Sequence, residues 1–280
     1  MNPEILDLTR PRVMAIVNVT PDSFYAGSRT FTAAEIERRA MTAADEGAYM
    51  LDIGGYSSRP GADDVSAEEE FSRVARALEV IRRRLPAMPV SVDTFRGEIV
   101  RRVVAEFGAV VVNDISAGGL DPAIVDAAAE LQLPYIAMHM RGTPATMQRL
   151  TEYADVVGDV VDYFRLRLKE LRGKGIRQIV LDPGFGFAKT TEQNYRMLAE
   201  LRQFELLGRP LLAGMSRKSM ITKVLGCDSG SGAALAATTA LNVLALERGA
   251  SILRVHDVEA ASAAVEMFVK MENARHSEHT

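Results

Sequence analysis

One cysteine, Cys227, is all that this 280-residue chain carries, which excludes an intrachain disulfide and a zinc site built on clustered cysteines. Histidine is almost as scarce, at four residues, and His139 has no second histidine at metal-ligand spacing, which argues against a zinc centre. Surplus positive charge is missing too. Lys and Arg number 33 against 37 Asp and Glu, a net charge of −4, so nothing draws the chain generally to nucleic acid or acidic membrane. No apolar run approaches the roughly 18–20 residues of a membrane span, and the opening MNPEILDLTRPR has no apolar signal-like core. The expectation is a soluble, cytoplasmic protein. Lys189-Thr190 behind Gly184 and Gly186 resembles a P-loop, but the Gly-x4-Gly-Lys spacing is absent.

What is present is an ordinary globular composition, 48% hydrophobic and 25% charged, at a length that suits a single α/β barrel of about 250 residues. Short apolar runs alternate with amphipathic segments. Strands are predicted over Val13–Val17, Met50–Ile53, Pro89–Val92, Ala109–Val112, Tyr135–Met138, Ile179–Leu181, Leu211–Gly214 and Ser251–Val255. Between them lie helices with recognisable starts: Thr32 with Glu35 and Ser66 with Glu69 read as capping boxes, and Asp121 reads as a cap with Pro122 at the first helical position. Longer helices are predicted over Tyr153–Lys174, Thr191–Leu207 and Val258–Met271, and an Ala-rich one ends near Arg248. Residues 1–11 and 273–280 read as frayed ends of one domain spanning 1–280.

Eight buried strands with helical crossovers predict a (β/α)8 TIM barrel, with an open doubly wound sheet as the competing architecture. The polar residues favour the barrel. Asn18, Asp52, Asp93, Asn113, His139, Asp182, Ser216 and His256 stand at or beside the C-terminal ends of eight different strands, and only a closed barrel gathers those ends on one rim. Singly, each has an ordinary reading as a cap or turn former, and Asp52 suits a structural hydrogen bond. Together they suggest a ligand. Arg254 and His256, two apart on a strand, share a face and suit an anion. Asp93 and Asp182 offer acceptors for a heterocycle edge bearing adjacent N–H groups, as in a pterin, and the Asn113 amide can supply both a donor and an acceptor.

The motifs IVNVTPDSF (16–24), GGYSSRPGA (54–62), SVDT (91–94), VNDIS (112–116), MHMRGTPATMQ (138–148), LDPGFGFAKT (181–190), GMSRKSMI (214–221) and RVHDV (254–258) closely resemble the dihydropteroate synthase family, in the same order and over nearly the whole chain. The resemblance implies a Mg2+-assisted transferase of folate synthesis, a sulfonamide target, acting on two small molecules as a homodimer through its last helices. By that similarity, Asp93, Asn113, Asp182 and Lys218 hold the pterin, with Met138 and Phe187 as its apolar surroundings. Asn18, Arg254 and His256 hold the pyrophosphate, Asn18 also touching the metal. Phe24, Ser58, Pro60, Arg217 and Ser219 form the p-aminobenzoate side, and Asp93, Asp182, Lys218, Arg254 and His256 carry the catalysis. Two positions depart from the common pattern: Ala26 stands in a first loop where many members carry an acid, and Tyr56 stands where many carry Glu. A methyltransferase-type pterin barrel would share the pterin Asp and Asn residues but has no need of SRK together with RVH. A non-catalytic pterin-binding module would differ in turnover alone.

Overall fold

The strand predictions close into one sheet. The structure, a computed structural model, describes residues 6–20, 32–57 and 64–277. Eight parallel strands pair in sequence order around a closed barrel: β1 (Arg12–Asn18), β2 (Met50–Gly54), β3 (Val90–Asp93), β4 (Val111–Asp114), β5 (Tyr135–Met138), β6 (Ile179–Asp182), β7 (Leu211–Ala213) and β8 (Ala250–Val255). The crossover helices are α1 (Ala33–Asp45), α2 (Ala67–Arg84), α3 (Gly97–Phe107), α4 (Ala123–Glu130), α5 (Val156–Gly173), α6 (Thr191–Ala199), α7 (Ser219–Leu225), α8 (Gly232–Glu247) and α9 (Val258–Ser277).

The period-two alternation of each strand sorts its residues into two cores. Outward-facing Val13, Ala15, Leu51, Ile53, Val90, Val92, Val112, Leu181 and Leu253 join the apolar faces of the helices in the larger cluster. Inward-facing Met14, Met50, Val111, Ile136, Val180, Leu212 and Ile252 form a separate buried layer inside the barrel, completed from below by Leu6. One step further along the strands the interior turns polar, with Asp52 paired in register with Ser91, and Asp93 with Asn113. Each buried aliphatic side chain contributes roughly 1.5–3 kcal/mol. The apolar layer is therefore a stable floor on which the polar one can stand.

Several local expectations need correction. β4 runs two residues later than predicted, so Asn113 and Asp114 lie within the strand instead of after it, and both are buried. The predicted helix over 191–207 breaks after Ala199, and a 3-10 segment spans Leu201–Leu207. Its reason is spacing: Leu201, Phe204 and Leu207 are three apart, and a three-residue turn puts all of them into the core. Thr32 and Glu35 do form a reciprocal capping box. Ser66 accepts from the Glu69 N–H, but the Glu69 carboxylate pairs with Arg73 instead of returning to the cap. Pro122 occupies the cap position of α4, while Asp121 accepts from Ala123 N–H and also from Gly97 N–H at the start of α3, tying two helix starts together. α9 continues past Met271 to Ser277, and Leu6 is buried with its carbonyl bonded by Gln178.

Candidate active site

The C-terminal ends of the strands surround a cavity of about 590 Å3. Of the residues singled out in the sequence, Asn18, Asp93, Phe187, Arg217, Lys218, Ser219, Arg254 and His256 line it. Asn113, Met138 and Asp182 are at most 7% exposed and sit at the edge of the floor instead of on the open wall. Phe24, Ser58 and Pro60, with Ala26, lie outside the described residues. Sequence reasoning did not single out Ile16, Met147 and Gln148 as wall residues, although all three line the cavity. Ile16 was signalled by alternation, two residues before Asn18; the other two come from the loop after β5, where no periodicity gives direction.

Asp52 is the hub of the polar layer. Fully buried, it accepts from Ser91 Oγ at 2.5 Å, from Asn113 Nδ2 at 3.2 Å and from Arg254 Nε at 2.7 Å. Arg254 also reaches Asp93 at 2.8 Å. The Arg254 guanidinium thus stands inside the barrel between two carboxylates, and although burial works against its charge, Asp52 and Asp93 hold it firmly protonated. One N–H of the Asn113 amide is shared between the two Asp52 oxygens, each at 3.2 Å, which leaves its oxygen and its second N–H for a ligand, the donor and acceptor the sequence suggested. Gly54, between β1 and β3, leaves the room this needs: a Cβ there would stand 3.3 Å from Asn18 Oδ1 and 3.6 Å from Asp93 Cβ.

Burial pushes Asp93 up to about 7, against the pull of Arg254. Asp182 is raised for the same reason, with Lys218 and the Gly184 N–H opposing. Its carboxylate accepts that N–H at 2.8 Å, so the turn after β6 caps the strand tip. Lys218, after β7, is lowered by burial to about 8, with Asp182 opposing. Its Nζ bonds the Phe185 carbonyl and lies 4.6 Å from the centre of the Phe187 ring. Met138 joins Ile115, Met140, Met147 and Ala188 in an apolar cluster against which Phe187 packs.

At the mouth, Ser216 Oγ accepts the His256 N–H at 3.2 Å and lies 3.1 Å from His256 Nδ1, which fixes the imidazole toward the cavity. Arg217 takes a left-handed backbone, φ 55°, and its guanidinium is occupied: both nitrogens of the fork bond Asp257 at 2.7 Å, and Nη1 bonds the carbonyls of Ser229 and Ser231. Tyr56 packs edge-on against Phe95 at 5.2 Å, with Arg96 across its ring, and also lines the cavity.

An acceptor floor beside a cationic wall, at the C-terminal end of a barrel, is an arrangement that holds a flat donor-edged ring and an anion together. The model of the pterin binding enzyme family matches residues 14–256. A dihydropteroate synthase of Synechocystis sp. is 43% identical over 253 residues, covering 90% of this chain and 86% of that one. The chain belongs to the dihydropteroate synthase family. Solved members of the family have the same fold: the Xanthomonas albilineans synthase with 4-aminobenzoic acid matches with a TM-score of 0.86 and 41% identity, over 95% of both chains. The same organism's synthase in complex with 7,8-dihydropteroate matches with a TM-score of 0.82 and 39% identity, again over 95% of both.

Proposed function

We propose that this chain joins 6-hydroxymethyl-7,8-dihydropterin pyrophosphate to p-aminobenzoate, giving 7,8-dihydropteroate and pyrophosphate in folate biosynthesis. The observation that carries the reading is one cavity lined by Asp93, Lys218, Arg254 and His256, with buried Asn113 beside Asp93 in register and buried Asp182 within the charge of Lys218. The three acceptors suit the N–H-rich edge of a pterin, with Lys218 at its carbonyl side and Met138 and Phe187 against its faces. Arg254, His256 and Asn18 take the pyrophosphate. Ser219 offers a hydroxyl to p-aminobenzoate, and Arg217, its guanidinium bound to Asp257, shapes that side through the turn it holds; Phe24, Ser58 and Pro60 complete it.

Mg2+ fits this donor chemistry. Among the described residues no three His, Cys, Asp or Glu gather to hold a metal, but Asn18 brings an amide oxygen to the wall, and an ion that keeps its water and takes phosphate oxygens needs few protein ligands. When bound it would offset charge on the leaving pyrophosphate.

The methylene carbon loses its bond to the bridging oxygen, whose electron pair leaves with the pyrophosphate. The electron-rich dihydropterin supports the vacated carbon, and the neutral aniline nitrogen then attacks it with its lone pair and gives up a proton to water. Arg254 and His256 stabilise charge growing on the leaving group, while Asp93 and Asp182 favour the cationic ring. Exposed Val224 and Leu225 on α7 and Val243 and Leu244 on α8 support a homodimer through these helices. No helix among the described residues is long and apolar enough to cross a membrane, and a single free cysteine suits the cytoplasm.

The test is p-aminobenzoate-dependent pyrophosphate release with Mg2+. Release is expected from the wild type; Asp182→Ala should lose pterin affinity severely, and Arg254→Ala should lose turnover while keeping a reduced affinity for a pterin without phosphates, because Asp93 loses the cation that opposes its protonation. Tight pterin binding with no release from the wild type would leave a binding module.

A further inference from the structure

The loop between β6 and α6 holds a buried cation that the reaction above leaves unused. Lys189 is 4% exposed. Its Nζ donates to the carbonyl oxygens of Gly184 and Phe187, each at 3.1 Å, and lies 3.1 Å from His139 Nδ1. Three acceptors match the three N–H bonds of an ammonium. Burial, and then the charges of Lys189 and Arg141, hold His139 down at about 2, so its ring is neutral and Nδ1 accepts. The ring itself is wedged edge-on against Tyr163 at 4.9 Å.

The pieces joined by this ammonium bear on the candidate pterin site. Gly184 caps Asp182, Phe187 lies against Lys218, and His139 directly follows Met138 at the end of β5. Lys189 is faced by Asp182 from β6, Lys218 from the turn after β7 and Arg141 and His139 from beyond β5. Its charge acts on Asp182 alongside those of Lys218 and Arg254, each opposing the effect of burial on the carboxyl.

We propose that Lys189 is a positioning residue for pterin binding: its ammonium draws the loop after β6 onto itself and His139, setting Phe187 beside the ring and keeping Asp182 an acceptor. The inference rests on the pterin reading above. It gives Lys189 two effects, one on shape and one on charge; burial lowers Lys189 to about 7 with Asp182 opposing, so both are full on the acid side of that pH and weaken above it.

The measurement is the affinity of the wild type, Lys189→Met and Lys189→Arg for 6-hydroxymethylpterin, which lacks a leaving group, titrated from about pH 5.5 to about pH 8.5, together with the KM for p-aminobenzoate. Lys189→Met should lose about tenfold in pterin affinity at neutral pH, with the loss widening toward acid, because Asp182 without this cation takes up a proton at higher pH. The KM for p-aminobenzoate should change by less than about twofold, and Lys189→Arg should recover most of the loss. Unchanged pterin affinity in Lys189→Met overturns the proposal. So does a loss that is constant with pH and matched by a parallel rise in the KM for p-aminobenzoate. Should Lys189→Met not fold, His139→Phe removes one of the three acceptors and keeps an aromatic ring; a loss of about two- to fivefold is expected, and unchanged affinity overturns the proposal. Wild-type protein that binds 6-hydroxymethylpterin but releases no pyrophosphate refutes the synthase reading and not this one, whereas wild type that does not bind it refutes both.

Discussion

An amide side chain can face a ligand with oxygen or with nitrogen, and at Asn113 the neighbour decides. Asp52 takes one N–H of the amide with both its oxygens, which orients the amide and makes its oxygen a neutral acceptor between two acidic ones. A floor built mainly of acceptors works when its acids are ionised. Asp93 is pushed by burial up to about 7, within an accessible range. Below that pH its carboxyl is protonated and one acceptor becomes a donor pointed at donors. Pterin affinity is therefore expected to fall roughly tenfold from about pH 8 to about pH 6, read by fluorescence titration, with Asp93→Asn weaker throughout and flatter over that interval. An equally steep profile in Asp93→Asn would assign the acid limb to another group.

At the scale of elements, the tip of β6 shows what one backbone position controls. Gly184 has φ 73°, and a Cβ there would stand 2.1 Å from the His139 carbonyl oxygen. Gly184→Ala must push β6 from β5, and with it the N–H that caps Asp182. The expected result is a loss of a few kcal/mol in stability by denaturant titration and a pterin affinity too low to measure; a variant as stable as wild type would show that the loop yields freely. Strands, most caps and the rim were legible from sequence because their signals are local: an apolar run, a Thr three residues before a Glu, a polar residue where the run stops. Asp182 was visible for that reason. The commitments of the polar side chains were not. Asp52 and Arg254 are 202 residues apart, so nothing in either stretch says that the guanidinium proposed for an anion rests on two carboxylates, or that Arg217 is held by Asp257. The break after Ala199 was a matter of period, a three-residue spacing read as part of a longer helix.

At the scale of the molecule, closure gives one face all the chemistry. Neighbouring strands in a ring put Asp93 beside Asn113 and bring β8 back against β1, which is how residues from both ends of the chain meet around Asp52. The proposed roles place the pterin on the floor and p-aminobenzoate nearer the mouth, at Ser219. Binding of p-aminobenzoate is accordingly expected to be weak in the absence of pterin or pyrophosphate and strong in their presence, as calorimetry would show; equal affinity in both conditions would separate the two sites. The apolar layer of Met14, Met50, Val111, Ile136, Val180, Leu212 and Ile252, stoppered by Leu6, has a kinetic meaning as well. A shaft sealed at the bottom admits and discharges its contents through one opening, so whatever lies deepest enters first and leaves last, and traffic through the barrel is ordered before any side chain has selected a substrate.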